Sequence, residues 1–277
     1  MATQSDSPFP EGHRGQATTS GPSRHIAWEG FANARDLGGL PARDGRVTRF
    51  GAYIRSGDLR FVTEAGWRMA RDAGVRTIID LRNDDEIRPH AGQQLTRVAG
   101  SGQFAVPTPA TSPPSWLNRI EVALDDIADT AFWQFLNRER LNGTPLYFRP
   151  FLDRKPERCA TAVTALASAA PGGVIFHCGA GRDRTGLVTL LLLALADVEP
   201  NAIANDYQLS AEPLKELLTA MGQQDQGPVI EATLAERGTT ARDAILATLD
   251  GFDAETYLLT AGVTPADLAT IRHRLLE

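Results

Sequence analysis

The chain has 277 residues and a formal net charge of −6, with 42% hydrophobic and 22% charged residues. That length supports one large or two small domains with a sizeable core, and the composition is that of a globular protein. The acidic balance excludes a non-specific nucleic-acid binder, whose phosphate-facing surface is usually basic. Two cysteines exclude a disulfide scaffold and point to a reducing, cytoplasmic compartment.

The first 23 residues are rich in Ser, Thr, Pro, Gly and Gln, which predicts a flexible tail without an apolar leader segment. Residues 24–277 then read as a single domain. After Asn33-Ala-Arg-Asp-Leu-Gly-Gly39, a short strand is expected within Ala52–Leu59. Thr63 can cap a helix over Glu64–Ala73, which Gly74 stops. Val75–Arg82 reads as a strand with a β-branched centre and a charged end. This strand–helix–strand alternation implies a mostly parallel sheet flanked by helices, with ligands beyond the strand C-termini. Asp80, Arg82 and Cys178 all fall at such ends.

Pro107, Pro109, Pro113 and Pro114 mark a loop. Beyond it Leu117, Ile120, Leu124, Ile127, Ala131 and Phe135 recur at helical spacing, with Glu121, Asp125, Asp126 and Asp129 on the other faces. The plain reading is an amphipathic helix covering the sheet; the sharper one makes 115–155 a helical lid that gates the site. Pro156–Ser168 reads as a helix carrying the buried Cys159. The C-terminal part, 200–277, reads as helices opened by Pro200, N-capped by Ser210 over Ala211–Met221, and over Ala241–Leu249, Ala254–Ala261 and Ala266–Leu276. The longest apolar run, Leu187–Val198, is too short to cross a bilayer and suits a buried helix.

The informative stretch is Gly172-Gly-Val-Ile-Phe-His-Cys-Gly-Ala-Gly-Arg-Asp-Arg-Thr-Gly186. A buried strand through Val174, Ile175 and Phe176 passes into a glycine-bearing loop that opens a helix. Backbone N–H groups and the helix dipole make such a place an anion site. Cys178 enters the loop and Arg184 leaves it, five residues intervening. A thiolate there would be the nucleophile, and a planar guanidinium can hold two phosphoryl oxygens. Thr185 could hydrogen-bond to the sulfur and help it leave. His177 reads as a support behind the loop in preference to a base.

The form His-Cys-x-Ala-Gly-[Lys/Arg]-Asp-Arg-Thr-Gly resembles the phosphate loop of the atypical bacterial tyrosine/lipid phosphatases, a cysteine-dependent family. Asn33-x-Arg-Asp-Leu-Gly-Gly39, Arg55-Ser56 and Asp80-Leu-Arg-x-x-x-Glu86 are similar to that family's opening blocks, in order. Tyr257-Leu-Leu-x-x-Gly262 is similar to its tail. Ala34 stands where an aromatic residue is usual.

The resemblance implies the cysteine-dependent phosphatase fold and phosphomonoester hydrolysis without metal or cofactor. Cys178 would form a phosphocysteine, and Gly179, Ala180, Gly181, Arg182, Asp183, Arg184 and Thr185 would cradle the phosphate, with His177 and Gly186 supporting. The five histidines show no metal-ligand spacing. For the general acid the resemblance favours Asp183; Asp80, at a neighbouring strand end, competes, and an acid on 121–153 is the third choice. Arg182 replaces the usual lysine, which leaves a lipid headgroup open. The expected partner is a phosphotyrosine protein or a phosphoinositide, with relaxed specificity. A sulfurtransferase or arsenate reductase, and a non-catalytic phosphate binder, are the rivals.

Overall fold

The computed structural model describes residues 23–88 and 113–277. The tail, Ser23 excepted, and the proline-bearing stretch 107–112 lie outside the described residues. Five strands form one sheet: β1 Arg35–Asp36, β2 Tyr53–Ser56, β3 Val75–Asp80, β4 Asn118–Glu121 and β5 Gly173–His177. Their order is β1-β2-β5-β3-β4, antiparallel at β1 and parallel elsewhere. The chain is thus an α/β protein with a mostly parallel sheet.

Strands β5 and β3 run through the middle because their residues suit burial on both faces; all of Gly173–His177 is buried. Register brings the strand ends level: Ser56 and Asp80 both pair opposite His177, and Asp80 opposite Glu121. Polar side chains from four strands therefore finish at one edge.

One face of the sheet is covered by α1 (Glu64–Asp72), whose Trp67 and Ala70 meet Ile54, Val75, Ile78 and Ile175. Thr63 caps this helix by accepting from the Gly66 N–H, as its position predicts. A short helix, α2 (Asp84–Ile87), follows β3. The opposite face holds α3 (Thr130–Arg138), α4 (Phe148–Arg154) and α5 (Pro156–Ala167) around α6 (Asp183–Leu195). Helix α6 is apolar on every side, the pattern of a helix wrapped by neighbours, and Leu187 to Leu193 are all buried. Truncating Leu191, fully buried here, to alanine costs about 2–5 kcal/mol.

Helices α7 (Pro200–Gln208), α8 (Ala211–Ala220), α9 (Gly227–Glu236), α10 (Ala241–Leu249), α11 (Ala254–Thr260) and α12 (Pro265–Leu276) complete the chain. Among the described residues no helix is long and apolar enough to cross a membrane.

Three local expectations need correction. The helical spacing from Leu117 does not make one helix: Asn118–Glu121 is strand β4, because its backbone takes up the open ladder of β3 from Thr77 to Asp80. A helix starts only at Thr130, once the Asp129 carboxylate accepts from the Phe132 N–H. In this segment Phe132, Leu136, Tyr147, Phe148 and Phe151 all enter the main core. Ser210 sits at the cap position of α8 without making a cap bond, since its Oγ accepts from Arg35 instead. Helix α9, whose apolar residues are not gathered on one face, and the two-residue β1 carry no such local signal.

Candidate active site

The loop between β5 and α6 is held from outside by its carbonyls. Arg55 donates to the Gly181 oxygen at 2.7 Å, Asn33 Nδ2 to that of Ala180 at 3.1 Å, and the Asp58 N–H to that of Gly179 at 2.9 Å. His177 Nδ1 lies 3.2 Å from the Cys178 carbonyl oxygen. With these oxygens turned outward, the loop N–H groups face the interior at the N-terminus of α6. Gly181 has φ +71°, and a Cβ there would come within 2.6 Å of the Ser56 and Gly57 backbone. Only glycine fits. A Cβ at Gly186 would press on Tyr207 and Phe148.

Cys178 lies at the bottom, 2% exposed. Its Sγ accepts from the Gly181 N–H at 3.3 Å and from Thr185 Oγ1 at 3.2 Å, the contact expected of Thr185. Cys159 differs: it is buried on α5, and burial pushes its thiol up to about 12, the state of an inert core residue.

Behind the loop lies a buried ion network. Asp206 of α7 accepts from Arg24, from Arg35 at 2.9 Å and from Arg55 at 2.6 Å. Arg35 also donates to Asn33 Oδ1 and Ser210. Despite burial, the surrounding arginines hold the Asp206 carboxyl far below the usual range. Burial and the neighbouring Arg35 push Arg55 down to about 10. The arginines of the opening blocks thus act through the loop backbone, and Asp206, which sequence reading missed, holds them. Its signal was an acid beside Ala204 and Tyr207 on the buried face of a helix.

A two-lobed cleft opens in front. One lobe, of about 650 Å³, runs past Glu86, Asp125, Trp133, Asn137, Tyr147 and Arg184. The other, of about 780 Å³, runs over Gly179, Ala180, Arg182, Met221 and Val229. Glu86, Asp183, Arg184 and Asn142 line both. Segment 127–147 is therefore a wall of the cleft.

Arg184 faces this cleft and is oriented by Glu86, whose carboxylate accepts from both terminal nitrogens at 2.5 and 2.7 Å. Glu86 in turn accepts from the Asn83 N–H at 3.0 Å. Arg182 lies along Asp183, donating to both carboxylate oxygens at 2.9 and 3.0 Å, and reaches Gln226. Its guanidinium is thus paired with Asp183, while the residue lines the same lobe of the cleft as Gly179 and Ala180.

Asp80 is not placed as a proton donor. It is fully buried, accepts from Arg82 at 2.7 Å and Arg119 at 2.6 Å, and lies 3.5 Å from His177 Nε2. Although burial opposes ionisation, these partners hold its carboxyl far below the usual range. Such an acid has no proton to give near neutrality. The structure makes it an anchor for His177 and Arg82. Asp125 has the opposite environment: burial, with Glu86 and Asp183 nearby, pushes its carboxyl up to about 6 against the opposing pull of Arg184.

Comparison with known proteins places the chain among its relatives. A Cupriavidus necator relative is 27% identical across 94% of this chain and 92% of its own. A tyrosine-protein phosphatase of Nostoc commune is 27% identical, covering 81% of this chain and 74% of its own. The triple specificity protein phosphatase PtpB of Mycobacterium tuberculosis is also 27% identical, covering 71% and 73%. Residues 26–277 match the tyrosine phosphatase family, and the chain belongs to it.

Proposed function

We propose that the protein hydrolyses phosphotyrosine monoesters through a phosphocysteine formed on Cys178. The observation that carries this reading is the sulfur at the floor of a loop whose carbonyls are all tied outward. Inward N–H groups of Gly179 to Thr185, the α6 dipole and Arg184 stabilise charge on the equatorial oxygens as the S–P bond forms and the P–O bond breaks. Thr185, donating to Sγ, eases its departure when water attacks the phosphocysteine. His177, Asn33 and Arg55 hold the loop, and Gly186 lets α6 approach Tyr207.

A single phosphate on a neutral or basic chain suits the cleft better than a polyphosphorylated headgroup. Arg60, Arg182 and Arg184 line it, and each already holds a carboxylate: Asp58, Asp183 and Glu86. A second phosphate would meet Asp85, Asp125 and Asp225 with no uncommitted cation among them. The triple specificity named for the M. tuberculosis relative supports some breadth among monoesters.

The test is a panel of phosphotyrosyl, phosphoseryl and phosphothreonyl peptides with mono- and bisphosphorylated inositides, comparing kcat/KM for wild type and Cys178→Ser. Phosphotyrosyl peptides with basic flanks should lead and bisphosphorylated inositides should trail. Cys178→Ser should lose roughly 10⁵-fold or more, the scale of removing a covalent nucleophile. Equal turnover by Cys178→Ser would overturn the reading.

A further inference from the structure

We propose that Asp125, on the loop between β4 and α3, is the general acid and base of the reaction, in place of Asp183 or Asp80. The proposal rests on the phosphatase reading above.

Its placement follows from the sheet. Past the end of β4 the backbone keeps pairing along β3: the Val122 N–H donates to Asp80 O at 2.8 Å and the Leu124 N–H to Leu81 O at 3.2 Å. Leu124 is fully buried, which pins the following residue at the carboxyl edge of the sheet, where the phosphate loop opens. Asp125 lines the cleft there, its Oδ2 3.4 Å from Arg184 Nε. That contact is not the anchor of Arg184, since Glu86 already takes both terminal nitrogens. The Asp125 carboxyl is thus beside the phosphate-binding guanidinium without being consumed by it.

Its rivals are consumed. Asp183 is clamped along both oxygens by Arg182, and Asp80 is bound by Arg82, Arg119 and His177 on the far side of the loop. The charged and titratable groups facing Asp125 are Arg184 and Asp183 from α6, Glu86 from α2, Arg158 from α5 and Tyr147. Two of these are carboxylates, and a bound phosphate dianion adds further negative charge, which favours the protonated form. At about 6 this carboxyl is poised to lose and regain a proton under ordinary conditions, as a catalyst serving both displacements must.

The cleft also holds an unsatisfied donor. The Tyr147 hydroxyl is buried, kept neutral by burial, and lacks a hydrogen-bond partner among the described residues. Tyr147 lines the same lobe as Asp125.

The steps balance. As the Cys178 S–P bond forms and the P–O bond to the leaving phenol breaks, the Asp125 proton passes to the departing oxygen. The resulting carboxylate then takes a proton from the water that attacks phosphorus, while the S–P bond breaks and inorganic phosphate leaves.

Leaving-group dependence tests this. Asp125→Asn and Asp183→Asn are compared with wild type on phenyl phosphate, whose leaving phenol is as basic as tyrosine (about 10), and on 2,4-dinitrophenyl phosphate, whose leaving group needs no proton. Asp125→Asn should lose about 10²–10⁴-fold on phenyl phosphate and less than about 10-fold on the dinitrophenyl ester. Retained activity on the second ester also shows that the variant is folded. Wild-type kcat/KM should decline as pH rises through about 6, and Asp125→Asn should lose that decline. Equal losses on both esters, no loss on either, or a leaving-group-dependent loss in Asp183→Asn alone would each overturn the proposal. Failure of wild type to release phosphate from any ester would instead overturn the phosphatase reading beneath it.

Discussion

The two sides of the phosphate loop are built on opposite principles. Behind it, Asp206, Arg35, Arg55 and Asp80 are buried, and each ionised group meets an opposite charge. In front, Asp125 meets Arg184 at 3.4 Å but shares that guanidinium with Glu86, and the Tyr147 hydroxyl has no partner among the described residues. The rear spends its charges on holding a backbone conformation, so nothing there is left to react. The front keeps groups incompletely matched, the condition in which they can answer a substrate. The sulfur sits at the boundary, fixed from one side and open to the other.

Breaking the rear should cost folding first. Asp206→Asn leaves Arg35 and Arg55 buried without their counter-charge, and stability should fall by about 3–5 kcal/mol. Urea unfolding reads this directly; a loss below about 1 kcal/mol would mean that the rear is not the scaffold argued here. Gly181→Ala should come next, at about 1–3 kcal/mol from the positive φ, to which the contact of its Cβ with the Ser56 and Gly57 backbone adds. Its activity should fall with its stability.

Breaking the front should do the reverse. Glu86→Gln removes the bidentate partner that aims Arg184, while Glu86 itself is about one-third exposed. Stability should change by less than about 1 kcal/mol, and kcat/KM should fall about 10–100-fold. A midpoint shift as large as that of Asp206→Asn, with kcat/KM unchanged, would erase the distinction between the two sides.

The smallest effect concerns pH, and it has opposite signs front and rear. Asp80 and Asp206 have folded carboxyls below their ordinary value, so their stabilising contribution is full above about pH 4 and is lost as the pH falls further. Asp125 has a folded carboxyl raised to about 6, so its cost is absent below about pH 4 and grows as the pH rises through 6. Asp125→Asn should therefore flatten the stability curve between about pH 4 and 6 by on the order of 1 kcal/mol. Asp80→Asn should flatten it below about 4.

Much of this was legible in the sequence because it is local. A strand, four glycines and a helix start lie within Gly173–Gly186, so the loop, the cysteine and Arg184 could be read together, and Thr185 reaches Sγ as that reading expects. Helix caps such as Thr63 were legible for the same reason. Long-range partners were not. Asp206 meets Arg55 across 151 residues and Glu86 meets Arg184 across 98, and no local pattern records such a pairing. Asp125 was hidden by a helical period that the open edge of β3 overrode, turning Asn118–Glu121 into a strand. Asp80 misled for a related reason: a strand end locates a carboxyl near a site, yet only its partners decide whether it can hold a proton.

The central claim is that the Cys178 sulfur forms a bond to phosphorus. Rapid mixing with a phosphotyrosyl peptide, acid quenching and mass analysis of the digested protein tests it most directly. The account predicts one added phosphoryl group on the fragment bearing Cys178, absent from Cys178→Ser. Phosphate released without that adduct, or an adduct on another residue, would contradict it.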